Sequence, residues 1–364
     1  MYSHKRFLVI IALSVLISSS AIASDSEETA MGQLFSHTGE SDSSWEAGTA
    51  VASSDRAFPD CASSDCTFPD CGGCGIGGRF RRCCCPRWTA AADFIVLDRT
   101  GGKSQTLISL VDSTEELLNS NDFSFGFYGG PRISLIRHND CCYDFELLYF
   151  GIEGWSSSRS AFDESGVIFT APNFTALATG ITMQFDWASQ LYNAEFNVRW
   201  TPFCRVSLLA GFRWVELREQ LEGNYIDSTT TTFWTTNTKN NLYGLQIGAD
   251  AKLWERCRFS INGLLKAGIY GNHAEQTSSL SEFDLSTHAA TDHAAFLGEV
   301  GLQGSYQVTN CLRLRAGYQV IWLQGVAVAP AQIPVSDVSL DSASVDTHGN
   351  LLYHGATAGL EYKF

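Results

Sequence analysis

Cysteine is the residue type whose spacing in this chain most directly suggests chemistry. Seven of the twelve cysteines lie between residues 61 and 85, where Phe-Pro-Asp-Cys occurs twice, ending at Cys61 and Cys71. Cys71 and Cys74 have the C-x-x-C spacing of a zinc-ligand pair or a redox pair. A structural disulfide is the better interpretation if this Cys-dense segment is exported, as argued below. The candidate disulfide cysteines of the chain are Cys61, Cys66, Cys71, Cys74, Cys83, Cys84, Cys85, Cys142, Cys204, Cys257 and Cys311.

Histidines near acidic and hydroxyl side chains form the second group that could do chemistry. The group comprises His273, His288, His293 and His354, with Asp284, Ser286 and Asp292 nearby in sequence. A general acid or base must lie within hydrogen-bond reach of its partner and its substrate, and no protease or lipase motif accompanies these residues. We therefore predict no catalytic residues and no enzyme activity. A hydrolase site in the outer loops is kept as an alternative.

Three aspartates in one segment are the remaining candidate. Asp337, Asp341 and Asp346 lack the glycine and the terminal glutamate of a calcium-binding loop. We interpret this segment as a solvated acidic loop, and we predict neither a metal site nor a cofactor.

The elements that must position these residues are strands. Apolar and polar side chains alternate in residues 192–200, and the period of two recurs in 243–253, 296–308 and 312–322. Similar strands begin at Cys142, Cys204, Cys257 and Cys311, which indicates one supersecondary unit copied along the chain.

We predict an all-β fold, a transmembrane antiparallel up-and-down β-barrel of about ten strands. The expected strands are residues 88–98, 122–137, 142–154, 188–200, 204–217, 241–254, 257–270, 293–308, 311–324 and 351–364. Tight connections fall around Asn139, Pro202, Glu255 and Asn310, and long ones at 99–121, 155–187, 218–240, 271–292 and 325–350. Short periplasmic turns opposite long outer loops are typical of membrane barrels, so both termini are expected in the periplasm. A further hairpin within 155–187, formed by residues 167–169 and 181–185, would give twelve strands.

The N-terminal part of the chain has two segments before the barrel. Residues 1–23 have the features of a signal peptide, with Lys5 and Arg6 before an apolar run and small residues ending at Ala23. Residues 24–82 form a polar, low-complexity, Cys-rich head that is predicted to be disordered in the periplasm, and residues 83–364 form the barrel. Loss of the signal peptide lowers the formal net charge from −15 to −17, which argues against nucleic acid as a partner.

The last strand is similar to the terminal strand of bacterial outer-membrane barrels. Their assembly signal reads polar-x-Gly-x-x-apolar-x-apolar, and Thr357, Gly359, Tyr362 and Phe364 match it. The similarity implies an outer-membrane location, with the lipid bilayer and the assembly machinery as partners. The oligomeric state is left open.

Several strand sequences resemble the β-barrel porin family of planctomycete outer membranes. The stretches that carry the resemblance are residues 196–200 (FNVRW), 208–214 (LLAGFRW), 299–302 (EVGL), 306–309 (YQVT), 314–322 (LRAGYQVIW) and 353–355 (YHG). The resemblance covers about residues 86–364, implies an outer-membrane barrel and assigns no substrate.

The alternation also points charged side chains into the lumen. The predicted lumen charges are Arg199, Arg213, Asp250, Lys266, Glu299, Arg313 and Arg315. Charges of both signs in a narrow barrel more often pair with each other than line a selective channel. A barrel of about eight strands is just filled by its side chains, and wide pores need about sixteen, so ten strands predict a plugged or narrow lumen. Aromatic residues near strand ends are expected to form interfacial girdles; they are Trp88, Trp155, Trp200, Trp214, Trp254, Trp322, Tyr306, Tyr362 and Phe364.

The four cysteines that begin strands should lie on the periplasmic rim. Neighbouring copies are two strands apart, roughly 10 Å, whereas a disulfide needs Cα atoms within about 7 Å. We therefore hypothesise disulfides between this rim and Cys61 to Cys85 of the head. Simple packing of the rim cysteines at turn positions stays open.

The expected function is an integral outer-membrane barrel with a structural role or narrow, porin-like passive diffusion of small solutes. The alternative is an exported β-rich surface protein outside the bilayer, such as an adhesin-like sandwich.

Overall fold

The computed structural model describes residues 87–110, 116–139, 143–162, 167–171, 174–178, 182–203, 205–226, 230–281 and 284–364. The predicted signal peptide and the predicted head lie outside these residues, as do Cys142 and Cys204.

Ten antiparallel strands close into a barrel in which each strand pairs with its neighbours in the chain and the last pairs with the first. In chain order they are β1 (Trp88–Gly101), β2 (Phe127–His138), β3 (Tyr143–Ala161), β4 (Thr182–Phe203), β5 (Val206–Ile226), β6 (Thr230–Arg256), β7 (Phe259–Leu280), β8 (Leu285–Gln307), β9 (Leu312–Val326) and β10 (Gly349–Lys363). The prediction of a ten-stranded up-and-down barrel is confirmed, and the sandwich alternative is wrong.

Neither half of the expected hairpin of 167–169 with 181–185 adds a strand to the barrel, because 182–185 belong to β4 and 167–169 lie in a second, smaller sheet. Val167–Ala171 and Phe174–Ala178 pair with each other, but their sheet contains only Thr106–Leu110 and Glu116–Asn119 besides them. The twelve-strand alternative is therefore wrong.

The seam between β1 and β10 closes the barrel. The backbone N–H of Trp88 donates to the Phe364 carbonyl at 2.9 Å, and the Phe364 N–H donates to the Trp88 carbonyl at 2.9 Å. Further along the seam, β10 lies so close to β1 that a Cβ added to Gly355 would be 1.9 Å from the Val96 carbonyl oxygen. Only glycine allows the two backbones to approach each other this closely. Closure leaves no strand edge unpaired, which is what a sheet in hydrocarbon requires.

Most strands are longer than predicted. Strands β3 to β8 contain 19 to 27 residues, whereas about 9–11 residues cross a bilayer. Residues 218–226, 230–240, 271–280 and 285–292, expected as loops, continue the barrel wall. The prediction of five long loops is wrong, because many inward side chains of these segments, such as Thr236, Thr238 and Asn240, are polar like the outward ones, and the period-two hydropathy signal disappears. Long connections remain at 102–126, 162–181 and 327–348.

The outward face carries the apolar band that meets lipid. Leu245, Ile247 and Ile269 are 72%, 70% and 73% exposed, while alternate residues on the same strands are buried inside. Among the residues that the structure describes, no helix has the length and apolar character needed to span a membrane.

Trp155 does not belong to the outer girdle, contrary to prediction. The register of β3 shifts between Ile152 and Trp155, where Gly154 has φ +94°. The irregularity turns Trp155 into the lumen. Its indole N–H donates to the Leu97 carbonyl at 3.1 Å, and its ring lies 5.5 Å from that of Tyr353. Trp200, Trp254, Trp322, Tyr362 and Phe364 are exposed on the outer face.

Candidate functional site in the barrel lumen

Four buried charged side chains meet inside the barrel and form what we call the central tetrad. Glu195 of β4, Arg213 of β5, Lys266 of β7 and Glu299 of β8 are each at most 4% exposed. Arg213 Nη1 lies 2.8 Å from Glu299 Oε2 and 3.7 Å from Glu195 Oε1. Lys266 Nζ lies 2.9 Å from Glu195 Oε2 and 3.9 Å from Glu299 Oε1. The two cations and the two carboxylates balance, and the contacts cross the lumen.

Amide side chains complete the hydrogen bonding of the tetrad. Gln246 Nε2 and Asn197 Nδ2 donate to Glu195 Oε2 at 2.7 and 3.0 Å. Arg213 Nε donates to Asn193 Oδ1 at 2.5 Å. Buried charges are tolerated only where such partners satisfy their remaining lone pairs and protons, so the tetrad is a fixed arrangement.

A second tier of ion pairs lies toward the rim that carries the tight turns. The pairs are Arg199 with Glu146 (3.1 Å) and Asp250 (2.7 Å), Arg315 with Asp93 (3.1 Å) and Glu361 (3.4 Å), and Arg313 with Glu361 (3.5 Å). The structure thus brings all seven sequence-predicted lumen charges into two tiers of paired groups.

On the other side of the tetrad the lumen filling is apolar. Phe185 and Trp234 lie with their ring centroids 5.8 Å apart. The rings of Phe123 and Phe125, from the connection before β2, pack edge-on against Trp187 at 5.6 and 5.0 Å. These side chains belong to one continuous buried cluster, so the loop-side lumen is a packed core.

The connection between β9 and β10 folds into this core. Residues 325–333 are all buried, and Val326, Val328 and Ile333 are 0% exposed. The segment contains a short helix, Ala329–Gln332, and a 3-10 turn, Ile333–Val335. We call residues 326–338 the lumen plug.

Polar side chains of the barrel wall hold the plug by its backbone. Asn240 of β6 donates from Nδ2 to the Ala327 carbonyl at 2.8 Å and accepts from the Ala327 N–H at 2.7 Å. Asn272 of β7 donates to the Gly325 carbonyl at 3.0 Å. These bonds satisfy backbone groups that would otherwise be buried without partners.

Glu219 of β5 connects the plug to the opposite wall. Its Oε2 accepts from the Ala329 N–H at 2.9 Å, and its Oε1 pairs with the buried guanidinium of Arg99 on β1. The guanidinium also lies over the rings of Phe125 and Trp187, at 4.4 and 4.6 Å from their centroids. One carboxylate therefore fixes the plug across the barrel.

The end of the same connection is fixed by Asp346. Its carboxylate pairs with Lys103 and accepts from the His348 N–H at 2.9 Å. Partial burial alone would raise the pKa of Asp346, but the hydrogen bonds from Lys103 and His348 outweigh it and hold the pKa below its ordinary value. Asp337 lies half-buried near the end of the plug, and Asp341 lies beyond the plug, where it is exposed.

Sequence reasoning missed the plug, although a signal was present. Residues 326–335 read Val-Ala-Val-Ala-Pro-Ala-Gln-Ile-Pro-Val and contain no charge. A connection of this composition at the loop end of a barrel is better buried than solvated.

The predicted histidine group lies mostly on the wall rather than in loops. His273 Nδ1 is 2.7 Å from Asp292 Oδ1, and Nε2 is 3.3 Å from Glu275 Oε1. The hydrogen bond with Asp292 raises the pKa of His273. Both ring nitrogens face carboxylates, so this is a cross-strand charge pairing. His288 Nδ1 lies 3.1 Å from Thr277 Oγ1.

The other predicted histidines have different neighbours. His354 Nδ1 lies 2.8 Å from the Tyr318 hydroxyl on the outer face, and the His293 ring lies 6.4 Å from that of His348. Over the described ranges, no cluster of three or more His, Cys, Asp or Glu side chains could hold a metal ion.

Two of the candidate cysteines are described. Cys257 is in a disulfide, and Cys311 has a free, exposed thiol on the tight-turn rim. The other candidates lie outside the described residues, so the proposed pairing with the head stays a prediction.

The residues of the predicted assembly signal occupy both faces of β10 and the chain end. Tyr362 and Phe364 point outward with their rings 6.1 Å apart, and Thr357 is buried inside. A Cβ on Gly359 would lie 2.3 Å from the Ala92 carbonyl oxygen.

Comparison with solved structures finds matches at low sequence identity. The outer membrane protease OmpT from Escherichia coli matches with a TM-score of 0.46 and 11% identity, over 76% of this chain and 96% of that one. Neisserial surface protein A matches with a TM-score of 0.30 and 12% identity, over 76% and 97%. The Pseudomonas putida toluene transporter TodX matches with a TM-score of 0.29 and 10% identity, over 77% and 90%. No curated protein sequence matches.

Residues 163–362 match the family described as "Putative beta barrel porin-7 (BBP7)". The matched segment contains β4 to β10 and is more than half of the 364-residue chain. The ring of ten paired strands, the apolar outer face and this match lead to one conclusion: the chain belongs to the BBP7 family of outer-membrane β-barrels.

Proposed function

We propose that this protein is a structural outer-membrane barrel whose resting lumen is closed to solutes. The central tetrad and the lumen plug each close the lumen and act as two seals. Narrow passive diffusion of small solutes would require both seals to open. We assign it no catalytic role. The observation that carries the proposal is the pair of seals in series, the central tetrad and the lumen plug.

The two seals differ in physical character. The tetrad closes the lumen with ion pairs of 2.8 and 2.9 Å at side chains that are almost fully buried. The plug closes it with apolar side chains and with backbone hydrogen bonds to Asn240 and Glu219. A solute would have to displace both.

Single-channel conductance of the purified protein in planar bilayers tests this proposal. We expect no steady conductance from the wild type, from a variant with residues 327–337 replaced by a Gly-Ser linker of equal length, or from Lys266→Ser. The combination of both changes should conduct. The control is a Gly-Ser replacement of residues 341–345, outside the plug, which should leave the barrel closed. Steady ohmic conductance of the wild type would overturn the proposal.

The orientation is also part of the proposal, with the tight-turn rim and the chain termini in the periplasm. The exposed thiol of Cys311 lies on that rim. A membrane-impermeant thiol reagent should modify the Cys311 peptide only after the outer membrane is permeabilised, as read by peptide mass spectrometry. Modification on intact cells would reverse the assignment.

A further inference from the structure

The outward wall changes from apolar to polar at one register row. Trp214 of β5 pairs with Tyr243 of β6 in the last row of the lipid-facing band. The next row along the same strands pairs Glu216 with Asn241, which in turn lies opposite His273 of β7. The next two rows away from the lipid-facing band across β4 to β7 are also polar.

These two rows form a shallow groove on the outer wall. Its lining includes Gln190, Arg218, Gln220, Asn237, Lys239 and Thr277. The register places Gln190, Arg218 and Lys239 in one row across β4, β5 and β6. Gln220, Asn237 and Thr277 lie in the next row across β5, β6 and β7. Ala188 provides a small side chain beside the long ones, which creates the concavity.

The charges in the groove are matched rather than of one sign. Arg218 and Lys239 face each other directly, and the Glu216 carboxylate lies 2.6 Å from Arg218 Nη2 and 3.7 Å from Lys239 Nζ. Glu275, opposite Lys239, lies near His273. Two carboxylates therefore accompany two cations, so the groove has no surplus of positive charge that would select a purely anionic ligand.

The side chains offer donors and acceptors in similar number. The amides of Gln190, Gln220 and Asn237 can each donate and accept, the two cations donate, and Thr277 can do both. A ligand rich in hydroxyl groups, each of which also donates and accepts, matches this set. Sugars have this property.

The groove lies close to the lipid-facing band. One row, Glu216 with Asn241, separates the groove from Tyr243, which is 52% exposed, and Leu245 and Ile269 are 72% and 73% exposed in the row after Tyr243. A molecule with its acyl chains on this band would place its head group in the groove. We infer that the groove binds the sugar head group of a glycolipid in the loop-side leaflet.

Binding of defined lipids to the purified barrel in a zwitterionic detergent tests this inference. The probes are digalactosyl diacylglycerol, phosphatidylglycerol with the same acyl chains, and free lactose. We expect the glycolipid to bind about tenfold more tightly than either control, about 1.4 kcal/mol. Gln220→Ala combined with Asn237→Ala should weaken glycolipid binding about tenfold, because the hydrogen bonds of two amide side chains to the sugar are lost.

The matched control is Ser286→Ala, an exposed change on the same wall outside the groove. It should leave the affinity unchanged. Each variant is first checked for the compact, heat-modifiable band of a folded barrel on gels. Equal binding of phosphatidylglycerol, equal binding of free lactose, or unchanged affinity of the double variant would each overturn the inference. None of these outcomes depends on whether the lumen conducts.

Discussion

Replacement of Arg213 by leucine tests directly whether the lumen is a dry, closed interior. The side chain of Arg213 is 1% exposed, and its guanidinium contacts Glu195, Glu299 and Asn193. Arg213→Leu removes the cation and leaves the two carboxylates to share Lys266, at 2.9 and 3.9 Å.

The expected magnitude follows from the surroundings of the tetrad. Breaking a buried ion pair by removing one partner costs about 3–5 kcal/mol, because the remaining charge is left uncompensated. In a water-filled channel the same change would cost about 0–1 kcal/mol, since solvent would screen the orphaned carboxylates. We therefore expect Arg213→Leu to lower the free energy of unfolding by about 3–5 kcal/mol.

Urea unfolding of the barrel in lipid vesicles, followed by tryptophan fluorescence, measures this loss. Arg313→Leu, whose side chain is 31% exposed in the tier near the rim, is the control and should cost about 1 kcal/mol or less. Arg213→Leu combined with Glu299→Gln restores neutrality and should recover part of the loss, a coupling of about 0.5–3 kcal/mol. A loss for Arg213→Leu no larger than that of the control would refute the closed lumen.

Three further predictions concern the seam, the outer wall and the chain end. Gly355→Val should abolish the heat-modifiable folded band, because its Cβ would lie 1.9 Å from a carbonyl oxygen of β1, whereas the outward Ala356→Val should fold. The hydrogen bond with Asp292 raises the pKa of His273 above its ordinary value of 6.5, so His273→Gln should lower the free energy of unfolding below pH 6.5. This difference from the wild type should vanish as the pH rises through the raised pKa. A pH-independent difference in urea unfolding would contradict the reasoning. Phe364→Ser should remove the protein from the outer-membrane fraction if the terminal aromatic is an assembly signal, and normal recovery there would end that idea.

The barrel could be predicted because its signal is local. Alternation of apolar and polar residues in 192–200 and 312–322 depends only on the side chains of one strand and on the two environments that they face. The same argument placed Arg213, Lys266 and Glu299 inside. It could not say which of these charges would meet, because the contact of Arg213 with Glu299 depends on the shear that brings β5 opposite β8.

The lengths of the strands and the plug needed the tertiary structure. Residues 234–241 read Trp-Thr-Thr-Asn-Thr-Lys-Asn-Asn, which lacks alternation because the inward residues after Trp234 are polar like the outward ones. Trp155 was misplaced because the irregularity at Gly154 reverses the faces of β3, and the hydropathy pattern contains no trace of it.

The amino-acid sequence alone therefore indicated that strands cross a membrane and which side chains meet lipid, since lipid imposes a period of two on every strand, but it left ten and twelve strands both open. Only the tertiary structure decided which side chains and which segment fill the lumen. The apolar segment beginning at Val326 becomes a plug because the ring of strands provides an interior for it, with Asn240 and Glu219 placed to satisfy its backbone. Those partners are separated by about a hundred residues, and no local pattern connects them.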